Sequence, residues 1–267
     1  MIEKRSLPDL SGYTFDLAQK DIVFSDEQKA TNKKICTAIL ANEYKSFLLH
    51  GVTGSGKTEI YIEAARTALS KGKTVILLLP EISLTPQIAG RFKSVFGEDV
   101  ALWHSKLSVA QRSWTWREIC KGTFKIVIGA RSAVFSPLKN LGLIIIDEEQ
   151  ESSFKQEAPA PRYHARDVAL VRGRLEKATV VLASATPSLE SYYNHISGKL
   201  EYLHLSKRFG GAKYPQTHIV DMIQDQEESG KYGLIISGLL QDKIEDRLSK
   251  GEQIILLQNR RGYSPVM

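Results

Sequence analysis

The stretch LLHGVTGSGKTEIY carries Gly51, four intervening residues, and then Gly56, Lys57 and Thr58. Small residues at Thr53, Gly54, Ser55 and Gly56 let successive backbone N–H groups converge on phosphate oxygens, and Lys57 adds a positive charge beside them. A helix opening here would aim its positive end at the same anion, and the Thr58 hydroxyl suits a magnesium ion. A glycine-rich turn without a ligand would need neither Lys57 nor Thr58. A second cluster closes the apolar run LGLIIID: Asp147, Glu148, Glu149 and Glu151, with Gln150 among them. ATP hydrolysis needs one carboxylate near the metal and one group that orients or deprotonates water at the γ-phosphate. Asp147 fits the first role, through water, and Glu148 the second; Glu149 and Glu151 receive no chemical task. The competing reading is a solvated acidic turn after a buried strand.

Elements must bring these residues together. Apolar runs recur at 46–51, 74–80, 100–104, 125–130, 141–147 and 179–186, with helix-length amphipathic segments between most of them. Runs that are continuous rather than alternating suit a parallel sheet covered on both faces by crossover helices, so an open α/β fold is expected, with ligands at the carboxyl ends of the strands. FSDEQ opens with Ser25 and Gln28 in a capping-box spacing, followed by Ile35, Ile39 and Leu40 at helical intervals. Residues 1–23 form an N-terminal extension and 24–205 one α/β unit. After SKRFGGAKYPQ as connector, HIVDM, a helix over about 234–250 and QIILLQN restart a β-α-β pattern that stops at Met267, so 206–267 is expected to be the truncated start of a second unit.

With 267 residues, 42% of them hydrophobic and 25% charged, the chain has material for one large or two smaller cores. Its net charge of +6 fits a polyanionic partner without requiring one. Cys36 and Cys120 are too few for a disulfide framework and too far apart for a metal pair, which favours a reducing compartment. No apolar run reaches the roughly 20 residues of a membrane span. Together these set the expectation of a cytoplasmic protein with no membrane partner.

The phrases GVTGSGKT, DEEQ, LLLPEISLTPQI, WHSKLS, IVIGARSAVFSPLKNLGLIIIDEE, PRYHARDVA, SATPSLES and LLQNRRGYSP, in this order, resemble the superfamily 2 DNA helicases, in particular the bacterial replication-restart branch. The resemblance runs from about residue 24 to the end. It implies a RecA-like P-loop NTPase lobe with the start of a second such lobe, in an ATP- and Mg²⁺-dependent motor that moves 3′ to 5′ on single-stranded or forked DNA. It implies that Gln28 binds adenine, with Phe24 nearby, although capping alone explains Gln28. Within PEISLTPQ and GARSA, Arg131 and Ser132 would touch the DNA backbone, while Ala130 stands where the family usually has threonine; an intramolecular ion pair is the other reading of Arg131. The loop SSFKQEAPAPRYHARD is similar to an aromatic-rich DNA-sensing loop. Phe154 and Tyr163 would offer stacking faces, or pack onto their own domain, with Lys155, Arg162 and Arg166 near the backbone. In SATPS, Ser184 and Thr186 would couple nucleotide state to DNA grip, the alternative for Thr186 and Ser188 being a cap for the helix that begins near Pro187. Gln150 replaces the usual histidine and would serve that coupling by hydrogen bonds alone.

By the same resemblance, single-strand DNA-binding protein and other primosome proteins are partners, and zinc belongs to the longer family members but not to this chain. His104 and His164 are not expected to bind metal, and Arg260 and Arg261 are not expected to act as arginine fingers. The chain is expected to be a fragment deficient in unwinding. Two rivals stay open: a P-loop kinase or metabolic ATPase without nucleic acid, and a scaffold that binds DNA or proteins without turnover.

Overall fold

The computed structural model describes residues 23–80, 86–208, 215–230, 233 and 235–257. Residues 1–22, positions 81–85 of PEISLTPQ, and Arg260 and Arg261 lie outside the described residues. Two compact units divide after residue 212.

The first unit opens with α1 (Asp26–Ala41), started by the capping box at Ser25 and stopped at Asn42, which adopts φ 55°. Ile35 and Ile39 are buried on it, whereas Leu40 points outward. There follow β1 (Ser46–Gly51), α2 (Lys57–Ser70), β2 (Thr74–Leu78), α3 (Pro86–Phe96), β3 (Val100–Trp103), α4 (Val109–Lys121), β4 (Ile126–Gly129) and β5 (Leu141–Asp147). A short antiparallel hairpin, β6 (Lys155–Gln156) and β7 (Tyr163–His164), leads into α5 (Ala165–Glu176), β8 (Thr179–Ser184), α6 (Leu189–Ile196) and β9 (Glu201–Leu205).

Seven strands form one sheet in the order β3-β4-β2-β5-β8-β1-β9, every neighbouring pair parallel. The continuous apolar runs are explained by two cores, one on each face. Phe47, Leu49, Leu77 and Ile145 pack with Ile35, Ile60 and Phe92 of α1, α2 and α3. Leu48, Ile76, Ile144 and Ile146 pack on the other face with Ile119 of α4 and Ala165 and Ala169 of α5. Because successive side chains of a strand point to opposite faces, a strand covered on both must be apolar throughout. The order also fixes chemistry: β5, β8 and β1 are adjacent, so the acid cluster, the SAT segment and the phosphate loop emerge side by side at their carboxyl ends.

β9 lay outside the expected strands. It sits at the sheet edge, and EYLHL mixes exposed and buried positions, which hides it from a search for solid apolar runs. In the second unit, α7 (Met222–Ser229) and α8 (Gly238–Ser249) are capped by Asp221 and Ser237. The expected strands at HIVDM and QIILLQN are not formed at 218–221 or 253–257. Ile219, Ile255 and Leu257 are almost fully exposed there, and a strand has no backbone partners without a neighbouring strand. No helix among the described residues is long and apolar enough to cross a membrane.

Candidate nucleotide and nucleic-acid site

The loop between β1 and α2 turns on Gly54 (φ 77°) and Gly56 (φ 82°), a region that side chains rarely enter. A Cβ at Gly56 would also collide with Gln28 Nε2, and one at Gly51 would stand 2.7 Å from Ser55 Oγ. Lys57 Nζ donates to the Gly51 carbonyl at 2.7 Å, which holds its charge over the loop. Gln28 bridges cap and loop: its Oε1 accepts from Ser25 N at 2.8 Å, and its Nε2 donates to Ser55 O at 2.8 Å. The capping reading of Gln28 is thus realised, and the same amide ties the cap to the phosphate loop. Thr53 is exposed and Thr58 half-buried at the start of α2, whose N-cap Gly56 supplies no side-chain acceptor. Ser55 Oγ is buried without a hydrogen-bond partner. An uncapped helix start, an orphaned hydroxyl and a lysine poised over them fit a bound phosphate chain.

Asp147 ends β5 with 6% exposure and accepts a 2.7 Å hydrogen bond from Tyr61 Oη on α2, one turn beyond Thr58. Burial raises its carboxyl above the usual range, the Tyr61 bond opposes this, and neighbouring Glu148 adds to it. Burial likewise holds the Tyr61 phenol well above its ordinary value, with Asp147 reinforcing it, so Tyr61 remains a donor. Sequence reasoning missed Tyr61. The donor set fits Mg²⁺, which takes one or two carboxylates and keeps oxygen ligands from phosphates and water.

Glu148 stands at φ 50°, a costly conformation for a residue with a side chain, and is half-buried. Gln150 Nε2 donates to Glu148 Oε2 at 2.9 Å, Ser184 Oγ donates to Gln150 Oε1 at 2.6 Å, and Thr186 N donates to Ser184 Oγ at 2.8 Å. The amide thus faces an acid with its donor and a hydroxyl with its acceptor. The cap of α6 falls to Ser188, not Thr186.

Two expected DNA-facing side chains point inward instead. Phe154 is fully buried in the core beneath α5, because a large apolar ring placed next to the sheet gains more from burial than from exposure. Arg166 is also buried: its guanidinium donates to Ser188 Oγ at 2.8 Å and Glu149 Oε2 at 3.3 Å and pairs with Asp167. Glu149, left without a task by the sequence, is fully buried and accepts in addition from Ser188 N (2.7 Å), Ser188 Oγ (3.1 Å) and Ser191 Oγ (2.7 Å). A buried carboxylate requires such company, and Arg166 supplies its counter-charge.

Arg131 Nη1 donates to Lys155 O at 2.8 Å and Ser153 O at 3.3 Å, and its guanidinium lies 5.9 Å from the Tyr163 ring. Tyr163 is half-buried and meets Phe135 edge-on at 5.0 Å. Lys155 and Arg162 are exposed, Lys155 pairing with Glu157. Ser132 is exposed and accepts from Trp103 Nε1 at 3.1 Å. A cleft of about 480 Å³ off the ends of β3 and β4 is lined by Trp103, His104, Arg112, Arg131, Ser132 and Ser153, among others, with no carboxylate among the described residues. Two arginines, hydroxyls and an indole suit a sugar-phosphate chain. WHSKLS held two of these residues, but nothing local revealed that Arg112 joins them. Burial and the adjacent Arg166 push the His164 imidazole below its ordinary range, and its Nδ1 accepts from Arg166 N.

Residues 29–194 match the family model for DEAD/DEAH box helicases. The chain is 48% identical over 249 residues to the replication restart protein PriA of Chlamydia pneumoniae, covering 93% of this chain and 33% of that protein. It is 48% identical over 240 residues to PriA of Bacillus subtilis (strain 168), covering 90% of this chain and 29% of that protein. It therefore spans about a third of the length of the curated relatives it matches. In fold it is similar to RecG bound to a three-way DNA junction (TM-score 0.60, 20% identity, 87% of this chain and 29% of that one). It is likewise similar to the Pyrococcus furiosus Hef helicase domain (TM-score 0.50, 18% identity, 84% of this chain and 53% of that one).

Proposed function

The chain belongs to the DEAD/DEAH box helicase family, and on that footing, with its likeness to PriA proteins, we propose that it is the nucleotide-binding part of an ATP-dependent replication-restart DNA helicase moving 3′ to 5′. The observation that carries this reading is the hydrogen-bond chain from Glu148 through Gln150 to Ser184 and Thr186. A kinase or metabolic ATPase needs the phosphate loop and acids but has no use for a relay leading away from them.

On this reading residues 24–205 are the first RecA-like lobe and 206–267 the connector and beginning of a second. Gly51 to Thr58 bind the phosphates of ATP, Lys57 leaving the Gly51 carbonyl for phosphate oxygen, while Gln28 recognises the base. Thr58 and Asp147 hold Mg²⁺, which neutralises phosphate charge when bound. Glu148 orients the attacking water. Arg131 and Ser132, with Trp103 and Arg112, follow the backbone of single-stranded or forked DNA, and Lys155 and Tyr163 flank it on the hairpin. Single-strand DNA-binding protein and other primosome proteins are the partners, at the bacterial nucleoid, and zinc belongs to parts of the longer protein outside this chain.

The test is steady-state ATPase of the intact protein with and without single-stranded and forked DNA, for wild type, Lys57→Ala, Glu148→Gln and Gln150→Ala. DNA should stimulate the wild type, the first two variants should lose about 10²–10³-fold in turnover, and Gln150→Ala should retain ATP binding with much weaker stimulation. Wild-type turnover in Lys57→Ala and Glu148→Gln would overturn the site assignment. Absence of DNA stimulation in the wild type would favour an ATPase without a nucleic-acid partner.

A further inference from the structure

His50 is the last side chain before the phosphate loop, and the relay through Gln150 does not use it. β1 lies between β8 and β9, with His50 in register with Ser184 on one side and His204 on the other. Its ring stands between two oxygens: Nδ1 is 2.6 Å from the Tyr202 hydroxyl on β9, and Nε2 is 3.2 Å from the carbonyl of Ala185, just past β8. For the neutral ring, one tautomer satisfies both. A carbonyl can only accept, so Nε2 carries the hydrogen; Nδ1 then keeps a lone pair and accepts the Tyr202 O–H. Burial, followed by His204, lowers the imidazole below its ordinary range, and burial raises the Tyr202 phenol, so the ring is neutral and the phenol a donor at pH 7. Tyr202 is itself fixed, stacked on His195 at 4.5 Å between centroids.

Ala185 sits between Ser184, whose hydroxyl reaches Gln150, and Thr186, whose N–H returns to Ser184. The SAT segment is thus held from two sides. Gln150 ties it to the acids, and His50 ties it to the strand whose next residue, Gly51, holds Lys57. We propose that His50, backed by Tyr202, is a positioning residue that fixes the Ala185 carbonyl relative to the phosphate loop and carries rearrangement at Gly51 and Lys57 to the SAT segment by a route independent of Gln150. The proposal rests on the helicase reading above.

The substitutions separate the two ring nitrogens. Gln at position 50 places an amide N–H near the Nε2 position, Asn offers its polar atoms near the Nδ1 position, and Phe keeps the ring alone. ATPase kcat and KM would be measured on the intact protein with and without single-stranded DNA. His50→Phe should keep the KM for ATP within about two-fold and lower the ratio of DNA-stimulated to basal kcat about ten-fold, the effect of one lost hydrogen bond. His50→Gln should recover most of that ratio and His50→Asn should not. Tyr202→Phe, a milder change that preserves the ring, should lower the ratio about three-fold and keeps the test open if His50→Phe fails to fold. A wild-type ratio in both His50→Phe and Tyr202→Phe would overturn the proposal. So would His50→Gln matching His50→Phe with basal and stimulated rates falling together, which marks a packing role only. Failure of the helicase reading would show separately, as a wild type that DNA does not stimulate.

Discussion

Among the acids after β5, Asp147 receives a neutral donor, Tyr61, whereas Glu149 collects four hydrogen bonds, one of them from an arginine. On the helicase reading the difference matches two jobs, one carboxylate left for a cation and one consumed in holding α5 and α6 against the strand ends. It also gives Asp147 a cost. Because burial raises its carboxyl, the folded state binds that proton more tightly than the unfolded chain, and stability falls as pH rises from the ordinary carboxylate value through the raised one. At neutral pH Asp147→Asn, still able to accept from Tyr61, is expected to be more stable by about 1 kcal/mol, with the gain shrinking as pH is lowered toward 4. ATPase activity should fall by at least about 10²-fold. Thermal melting at several pH values and a turnover assay check the two halves. The residue types GxxxxGKT and DE were legible without a structure because their chemistry is local; the partners Tyr61, Arg166 and Ser191 were not, since each arrives from another element.

At the scale of elements, the strands were readable because coverage on both faces makes them apolar at every position, while the edge strand β9 and the two-residue strands of the hairpin leave no such signature. The segment SSFKQEAPAPRYHARD shows the limit of resemblance. Its likeness to a DNA-sensing loop left Phe154 either a stacking face or a packed ring, and the fold uses it as an anchor in the core and Arg131 as a clamp on the backbone of Ser153 and Lys155. Phe154→Ala is therefore expected to cost about 3–5 kcal/mol in denaturant unfolding. Were Phe154 a stacking platform, the same substitution would leave stability intact and weaken single-strand binding by about 1–3 kcal/mol instead. Unfolding midpoints and fluorescence anisotropy on labelled single-stranded DNA distinguish the outcomes.

At the scale of the whole molecule, the sheet order places β8 between β5 and β1, so SAT lies between acids and phosphate loop and is reached from both, by Gln150 and by His50. On the helicase reading a motor also needs a second lobe, and here the second unit holds two helices and no strand among its described residues. The 267-residue chain alone is accordingly expected to bind ATP analogues but to leave forked DNA unopened in a strand-displacement assay; robust unwinding by it would contradict the two-lobe account. The sequence by itself determined the GxxxxGKT loop, the acid cluster that ends an apolar strand, the parallel α/β class and the amide at position 150, because each is written in neighbouring residues and in how apolar a covered strand must be. Only the tertiary structure decided that Glu149 and Arg166 are a buried pair, that Phe154 faces the core, that Tyr61 holds Asp147 and that His50 reaches Ala185. Those contacts join residues from 17 to 135 positions apart, and they exist because parallel strands distant in the chain are brought side by side, which no local pattern encodes.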